Sequence, residues 1–189
     1  MIAGRHNPEN NMDAIAELYA ATDRDLPFVV LGTANYDSPT TANLTALSRR
    51  DERIRLLGHI GGRSEFFDLV HHAATYIHGH SVGGTNPSLI EAMGSGARIC
   101  ANDTPFCRET LAGVAPYFSL DQPSFAAAIG SILDDDPGHD AEVRAATRAR
   151  ASDRFNVVDV VTAYRDLLHA AAAARWRTTT ISTRWAQST

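Results

Sequence analysis

Short apolar runs alternate along this chain with longer amphipathic stretches. Residues 27–32 (Pro-Phe-Val-Val-Leu-Gly), 53–57, 74–78, 97–101 and 115–119 are each an apolar run bounded by Gly, Asp, Asn or Pro, and each predicts a strand. Between them, Met12–Ala21 places Met12, Ile15, Ala16 and Tyr19 on one helical face, and Ser64–Ala73 does the same with Phe67 and Val70. After the strands, Ser124–Leu133 predicts a helix that ends in the acidic break Asp134-Asp135-Asp136-Pro137-Gly138, and Glu142–Ser152 and Val157–Arg175 predict two more. Trp176–Thr189 is rich in Thr and Ser without periodicity and predicts a flexible tail. Alternation of this kind implies parallel strands with crossover helices on both faces: an α/β, Rossmann-like doubly wound sheet of about six strands with a helical C-terminus. Met1–Gly4 reads as the last residues of a strand whose apolar beginning is missing, so the chain is expected to be part of something longer.

Composition narrows the partners. With 189 residues, 44% of them hydrophobic, the chain can bury one good core. Its 17 basic residues are all Arg, against a net charge of -5. A few placed Arg and backbone amides can hold an anionic ligand, but a nucleic-acid surface is not expected, and Lys is removed from every catalytic proposal. Cys100 and Cys107 have no Cys or His spacing that suggests zinc, which points to a reducing compartment and no metal. No charged leader precedes an apolar core and no apolar run approaches the roughly 20 residues of a membrane span, so the expected location is cytoplasmic.

The chemistry concentrates in Tyr76-Ile-His-Gly-His-Ser-Val-Gly-Gly-Thr-Asn-Pro-Ser-Leu-Ile-Glu-Ala-Met93. This segment begins on a strand and turns into a helix: Gly83 and Gly84 free the turn, Asn86 is a cap, and Pro87 suits the first helical position. The carboxyl end of a parallel strand is where such sheets bind ligands, and free N–H groups around Ser88, Leu89 and Ile90 would hold a phosphate oxygen. Glu91 is placed to accept from a ribose diol; on local grounds it reads equally as an ordinary first-turn acid. His78 and His80 flank Gly79 at the strand end, where each reads as a donor to phosphate or sugar or as a buried, satisfied imidazole.

The run from Gly83 to Met93, followed by Gly94-Ser-Gly-Ala-Arg-Ile-Cys-Ala-Asn-Asp-Thr-Pro-Phe-Cys-Arg-Glu109, resembles the C-terminal domain of retaining GT-B glycosyltransferases of family 4. His78–Ala92 is similar to the bacterial rhamnosyltransferase branch of that family. The resemblance implies a nucleotide diphosphate sugar donor (dTDP-, UDP- or GDP-linked) and no cofactor or metal. It also implies transfer of a sugar, with rhamnose as one candidate, to a polysaccharide or glycolipid acceptor. Residues 1–175 would form the donor domain, and an N-terminal domain would bring the glycan or lipid-linked acceptor, with peripheral membrane association of the full enzyme compatible with a lipid-linked one. This chain alone would bind donor and turn over little.

Position by position, Glu91 matches the family's second acid, which binds ribose, while Gly83 stands where the first acid belongs; backbone groups of Gly84 and Thr85 are candidates to replace it. Arg5, in Gly4-Arg5-His6-Asn7-Pro8-Glu9-Asn10-Asn11, matches a diphosphate-binding Arg, and Asn10 stands at a Lys position. His59 lies in the loop that holds the base, and Glu109 matches a loop acid near the sugar, with a solvated helix cap the equal alternative. The rival readings are a nucleotide-sugar epimerase half-domain and a non-catalytic nucleotide-binding α/β module. The first is disfavoured by Glu91-Ala-Met93, and the second by the lack of clustered acids at the ends of the early strands.

Overall fold

A computed structural model of the protein describes residues 1–173, so the expected tail and the last residues of the final expected helix lie outside the described residues. Six strands, β1 (Ile2–Ala3), β2 (Phe28–Leu31), β3 (Ile54–Gly58), β4 (Tyr76–His78), β5 (Ile99–Asn102) and β6 (Tyr117–Phe118), form one sheet. Its order is β3-β2-β1-β4-β5-β6 and every pairing is parallel. β1 is the pivot: Ile2 pairs with Val30 on one side and with Ile77 on the other. This is the doubly wound order in which the chain reverses direction across the sheet between β1 and β4, opening a crevice at their carboxyl ends.

The helices are α1 (Met12–Ala20), α2 (Pro39–Arg50), α3 (Arg63–His72), α4 (Pro87–Gly94), α5 (Pro105–Leu111), α6 (Gln122–Leu133), α7 (Pro137–Arg154) and α8 (Val157–Ala173). Met12, Ile15, Ala16 and Tyr19 are the buried face of α1, as their spacing predicts. α1 packs against α2 and α6, and α4 against α3 and α7. The core joins Ile2, Val30 and Ile77 of the sheet to Met12, Ile15, Leu44, Phe125 and Ile129 of the helices. Met1–Arg154 form one compact unit, and α8 belongs to a second that starts at Phe155.

α2 fills the β2–β3 crossover that the alternation implies, but the sequence draws no bounds for it, because it buries only Thr40, Leu44 and Leu47 and is otherwise polar. α5 occupies residues 105–111, where the sequence reading has a loop ending in Glu109. α7 begins at Pro137 within the expected acidic break. There Asp136 receives the backbone N–H of Gly138 on its carboxylate at 3.1 Å and that of Asp140 on its carbonyl at 3.1 Å, and a proline in the first turn starts a helix instead of ending one.

Where the strands end, backbone lies against backbone. Gly4 N donates to Leu31 O at 3.0 Å and Gly32 N to Gly58 O at 2.7 Å, tying β1, β2 and β3 together. Gly32 has φ +118, and a Cβ there would lie 1.8 Å from the carbonyl oxygen of Gly4. We therefore predict that Gly32→Ala costs more than about 2 kcal/mol, read as a lower urea midpoint at unchanged slope. Gly61→Ala, whose Cβ would meet nothing within 4 Å, serves as the control and should change stability by less than about 0.5 kcal/mol.

Candidate functional site

The loop after β1 and the loop after β4 are sewn together over the crevice. Asn11 donates from Nδ2 to the carbonyl of Gly79 at 2.7 Å. The carbonyl of Glu9 accepts from the amide of Ser81 at 2.9 Å and from its hydroxyl at 3.1 Å. From β5, the side chain of Asn102 reaches the carbonyls of Gly79 and His80 at 3.5 and 3.4 Å. A Cβ on Gly79 would lie 2.4 Å from both the carbonyl oxygen of Asn10 and the Ile15 side chain, so only glycine permits this approach.

Within that frame, Arg5 lies two residues past β1 and is exposed, and its guanidinium makes no ion pair among the described residues. Asn10 is buried and donates from Nδ2 to the carbonyl of Arg5 at 2.6 Å, which holds the loop's shape. His6, which the sequence reading passed over, is buried, with Nδ1 2.8 Å from the Thr41 hydroxyl, while its carbonyl accepts from Ser38 at 2.6 Å.

The β4–α4 turn revises the phosphate hypothesis. Asn86 does cap α4, its Oδ1 accepting from the Ser88 amide at 3.0 Å and from the Ser88 hydroxyl at 2.8 Å. Its carbonyl also accepts from Leu89 N at 3.1 Å and Ile90 N at 3.2 Å. The amides of Ser88, Leu89 and Ile90 are therefore not free, because the cap satisfies them first. One step upstream, the N–H groups of Gly83, Gly84 and Thr85 make no hydrogen bond among the described residues, and all three residues are exposed. Gly83 has φ 110, a conformation a glutamate would adopt only under strain, so the departure from the family's first acid is matched by the backbone.

Glu91 lies on α4 at the lip of the crevice and receives Nη2 of Arg63 on Oε1 at 2.8 Å. Arg63 is the first residue of α3 and was not singled out from the sequence; the only signal was its place after Gly61-Gly62 at a helix start. His59 is exposed in the loop between β3 and α3. Glu109 is not in a loop: it is exposed on α5, past the cap at Thr104, and its carbonyl accepts from Arg150 at 2.8 Å.

His78 and His80 stack face to face, with ring centroids 4.5 Å apart and 9° between planes, and Tyr76 continues the stack on the other side of His78. His78 is buried, and neither Nδ1 finds a hydrogen-bond partner among the described residues. Burial lowers the His78 pKa to about 3 and lowers that of His80 as well, against the pull of Glu9. Both imidazoles are thus neutral at pH 7. With Gly84, Asn86, Thr104 and Cys107 they line a small gap of about 10 Å³, room for a single water. The two cysteines are free and buried, and burial raises both thiol pKa values, so neither is a ready nucleophile.

An apolar cavity of about 510 Å³ lies at the opposite end of the sheet, lined by Met1, Tyr19, Phe28, Ala74, Ile129 and neighbours. It has few polar groups and sits at the amino ends of the strands, so the open surface over the carboxyl ends of β1 and β4 is the better candidate site. Among the described residues no group of three or more His, Cys, Asp or Glu could hold a metal ion, and no helix is long and apolar enough to cross a membrane.

No family model matches the chain, and no curated protein matches it in sequence. Solved structures match the fold. HepE from Anabaena, determined in complex with UDP, superposes with a TM-score of 0.78 at 17% identity over 89% of this chain and 48% of its own. Sucrose-phosphate synthase from Thermosynechococcus elongatus gives 0.74 at 19% identity over 89% of this chain and 46% of its own. The pneumococcal O-GlcNAc transferase GtfA, in complex with UDP and GlcNAc, gives 0.69 at 18% over 91% and 35%. The chain spans less than half the length of each, and what it shares with them is the Rossmann-like α/β fold.

The buried imidazoles predict a specific acid response. A histidine whose folded pKa is below its ordinary 6.5 takes up its proton more readily when unfolded, so its contribution is complete above about pH 6.5 and is lost as pH falls toward 3. His6 is shifted in the same direction by burial. Unfolding free energy measured in urea between pH 7 and 5.5, above the range where carboxylates titrate, should fall with pH, and His78→Phe should flatten the slope. An unchanged slope in the variant would show that His78 is accessible to protons in the folded protein.

Proposed function

We propose that this chain is the donor-binding domain of a glycosyltransferase that takes a sugar from a nucleotide diphosphate. The observation that carries the proposal is the placement, on the segments that follow β1 and β4 at the switch point, of three unused amides (Gly83, Gly84, Thr85), an exposed cation (Arg5) and a half-buried carboxylate (Glu91). Amides and a guanidinium suit a diphosphate, and a carboxylate suits the diol of a ribose. HepE, which has this fold, was solved with UDP and with UDP-glucose, in keeping with that assignment.

In this reading the diphosphate lies over the Gly83–Thr85 turn ahead of α4, facing Arg5. Negative charge growing on the leaving diphosphate is met by dipoles already in place, and the α4 dipole adds to them. The ribose lies against Glu91 and the base near the loop containing His59. His78 and His80, being neutral, offer a proton to a sugar hydroxyl or to the single water that fits beside them and do not compete as cations. Asn10 shapes the Arg5 loop, and Ser88 and Leu89 belong to the capped helix start that orients the turn. Glu109 is left without a part in donor binding.

The proposal includes membership of family 4 on the rhamnosyltransferase side, with rhamnose as the candidate sugar and a polysaccharide or glycolipid as acceptor. Acceptor binding is assigned to another domain. No metal takes part. A cytoplasmic setting fits the free, buried cysteines.

Calorimetric titration with UDP, GDP and dTDP tests the reading. One nucleotide should bind at a 1:1 ratio, and Glu91→Ala should weaken it by about tenfold or more, as expected for losing hydrogen bonds to a charged group. Absence of saturable binding to all three, or binding indifferent to Glu91, would defeat the proposal.

A further inference from the structure

We propose that Arg63 and Glu91 act as one donor–acceptor pair that reads the cis-diol of a ribose, so that the site selects ribonucleoside diphosphates over their 2′-deoxy counterparts. This rests on the donor-site reading above and specifies which donors it takes.

The argument starts from the diol. Each ribose hydroxyl has one proton to give and lone pairs to receive. A carboxylate can only accept, so Glu91 alone satisfies half of that demand and leaves the lone pairs to water. A guanidinium held beside the carboxylate supplies the missing donors, since it carries five N–H groups and accepts nothing.

The geometry provides that arrangement. Arg63 begins α3 and Glu91 lies on α4, two helices that pack together and start at the carboxyl ends of β3 and β4. A single contact, Nη2 to Oε1 at 2.8 Å, joins them. Oε2 is therefore open to a hydroxyl proton, and the remaining N–H groups of Arg63 are not spent on Glu91. The Arg63 guanidinium also lies over the Phe67 ring, 5.1 Å from its centroid, which holds its plane at the lip of the crevice although 76% of the side chain is exposed.

A surface ion pair this exposed contributes about 0–1 kcal/mol to stability. Removing Arg63 is thus expected to leave the fold intact, and its effect can be read on the ligand. UDP and dUDP differ only at the 2′-hydroxyl, which isolates the diol from base and phosphates.

The experiment is calorimetric titration of the whole chain with UDP and dUDP, on the wild type, Arg63→Ala and Arg63→Lys. The wild type should prefer UDP by about tenfold, the scale of hydrogen bonds to charged groups. Arg63→Ala should lose most of that preference, its UDP affinity falling toward that for dUDP. Arg63→Lys, which keeps the charge but not the planar fork, should recover only part of it. Equal affinity of the wild type for both nucleotides, an unchanged preference in Arg63→Ala, or tighter UDP binding in that variant would each overturn the inference while leaving the donor-site reading standing. Where GDP is the nucleotide bound, GDP and dGDP replace the pair; binding of dTDP alone would overturn the inference, and absence of binding to UDP, GDP and dTDP alike would overturn both.

Discussion

The candidate site depends on how closely main chain can approach main chain at the carboxyl ends of the central strands. Gly32 lies against the carbonyl of Gly4, and Gly79 against the carbonyl of Asn10, at distances that exclude a Cβ. These contacts let the loops after β1 and β4 meet across the switch point, where Asn11 and Ser81 bond them to each other. Arg5 and the Gly83–Thr85 turn follow from those loops. A side chain at either glycine would push the loops apart and, with them, the cation and the amides.

The polar groups around the crevice divide into those that build and those that remain available. Asn10, Asn11, Asn86 and Asn102 spend their side chains on backbone groups of the crevice loops and the α4 cap. His6 is fixed between Thr41 and Ser38. What is left for a ligand is small and specific: one exposed Arg, three amides and one carboxylate partnered by Arg63. The imidazoles of buried His78 and half-buried His80 beside this set are kept neutral by desolvation, so the field in the crevice comes from Arg5, Glu9, Arg63, Glu91 and the backbone dipoles.

Much of this was legible in the sequence, for physical reasons. β1, β2, β4 and β5 are short apolar runs buried on both faces, and α1 has a clean stripe, so both leave strong periodic signals. The Asn86-Pro87 start of α4 follows from cap chemistry, which is local. The bounds of α2 were illegible because its buried stripe is two leucines and a threonine, and the start of α7 because aspartates before a proline read equally as a break and as a cap. The candidate site residues show the same split. Arg5 and Glu91 are nominated by the motif, but that Asn86 would consume the amides of Ser88, Leu89 and Ile90, or that Asn10 would turn inward, depends on three-dimensional geometry. Arg63 was invisible because its partner lies on another helix, and no local pattern links the two.

The central claim is that the β1/β4 crevice, and not the apolar cavity at the other end of the sheet, is where ligand binds. Titrating ¹⁵N-labelled protein with UDP and following backbone amide resonances tests it most directly. The account predicts that the shifted resonances cluster at Arg5, Gly83, Gly84, Thr85 and Glu91, with residues of the opposite cavity such as Phe28 and Ala74 unmoved. Shifts centred on Phe28 and Ala74 instead, or none at all at saturating nucleotide, would contradict it.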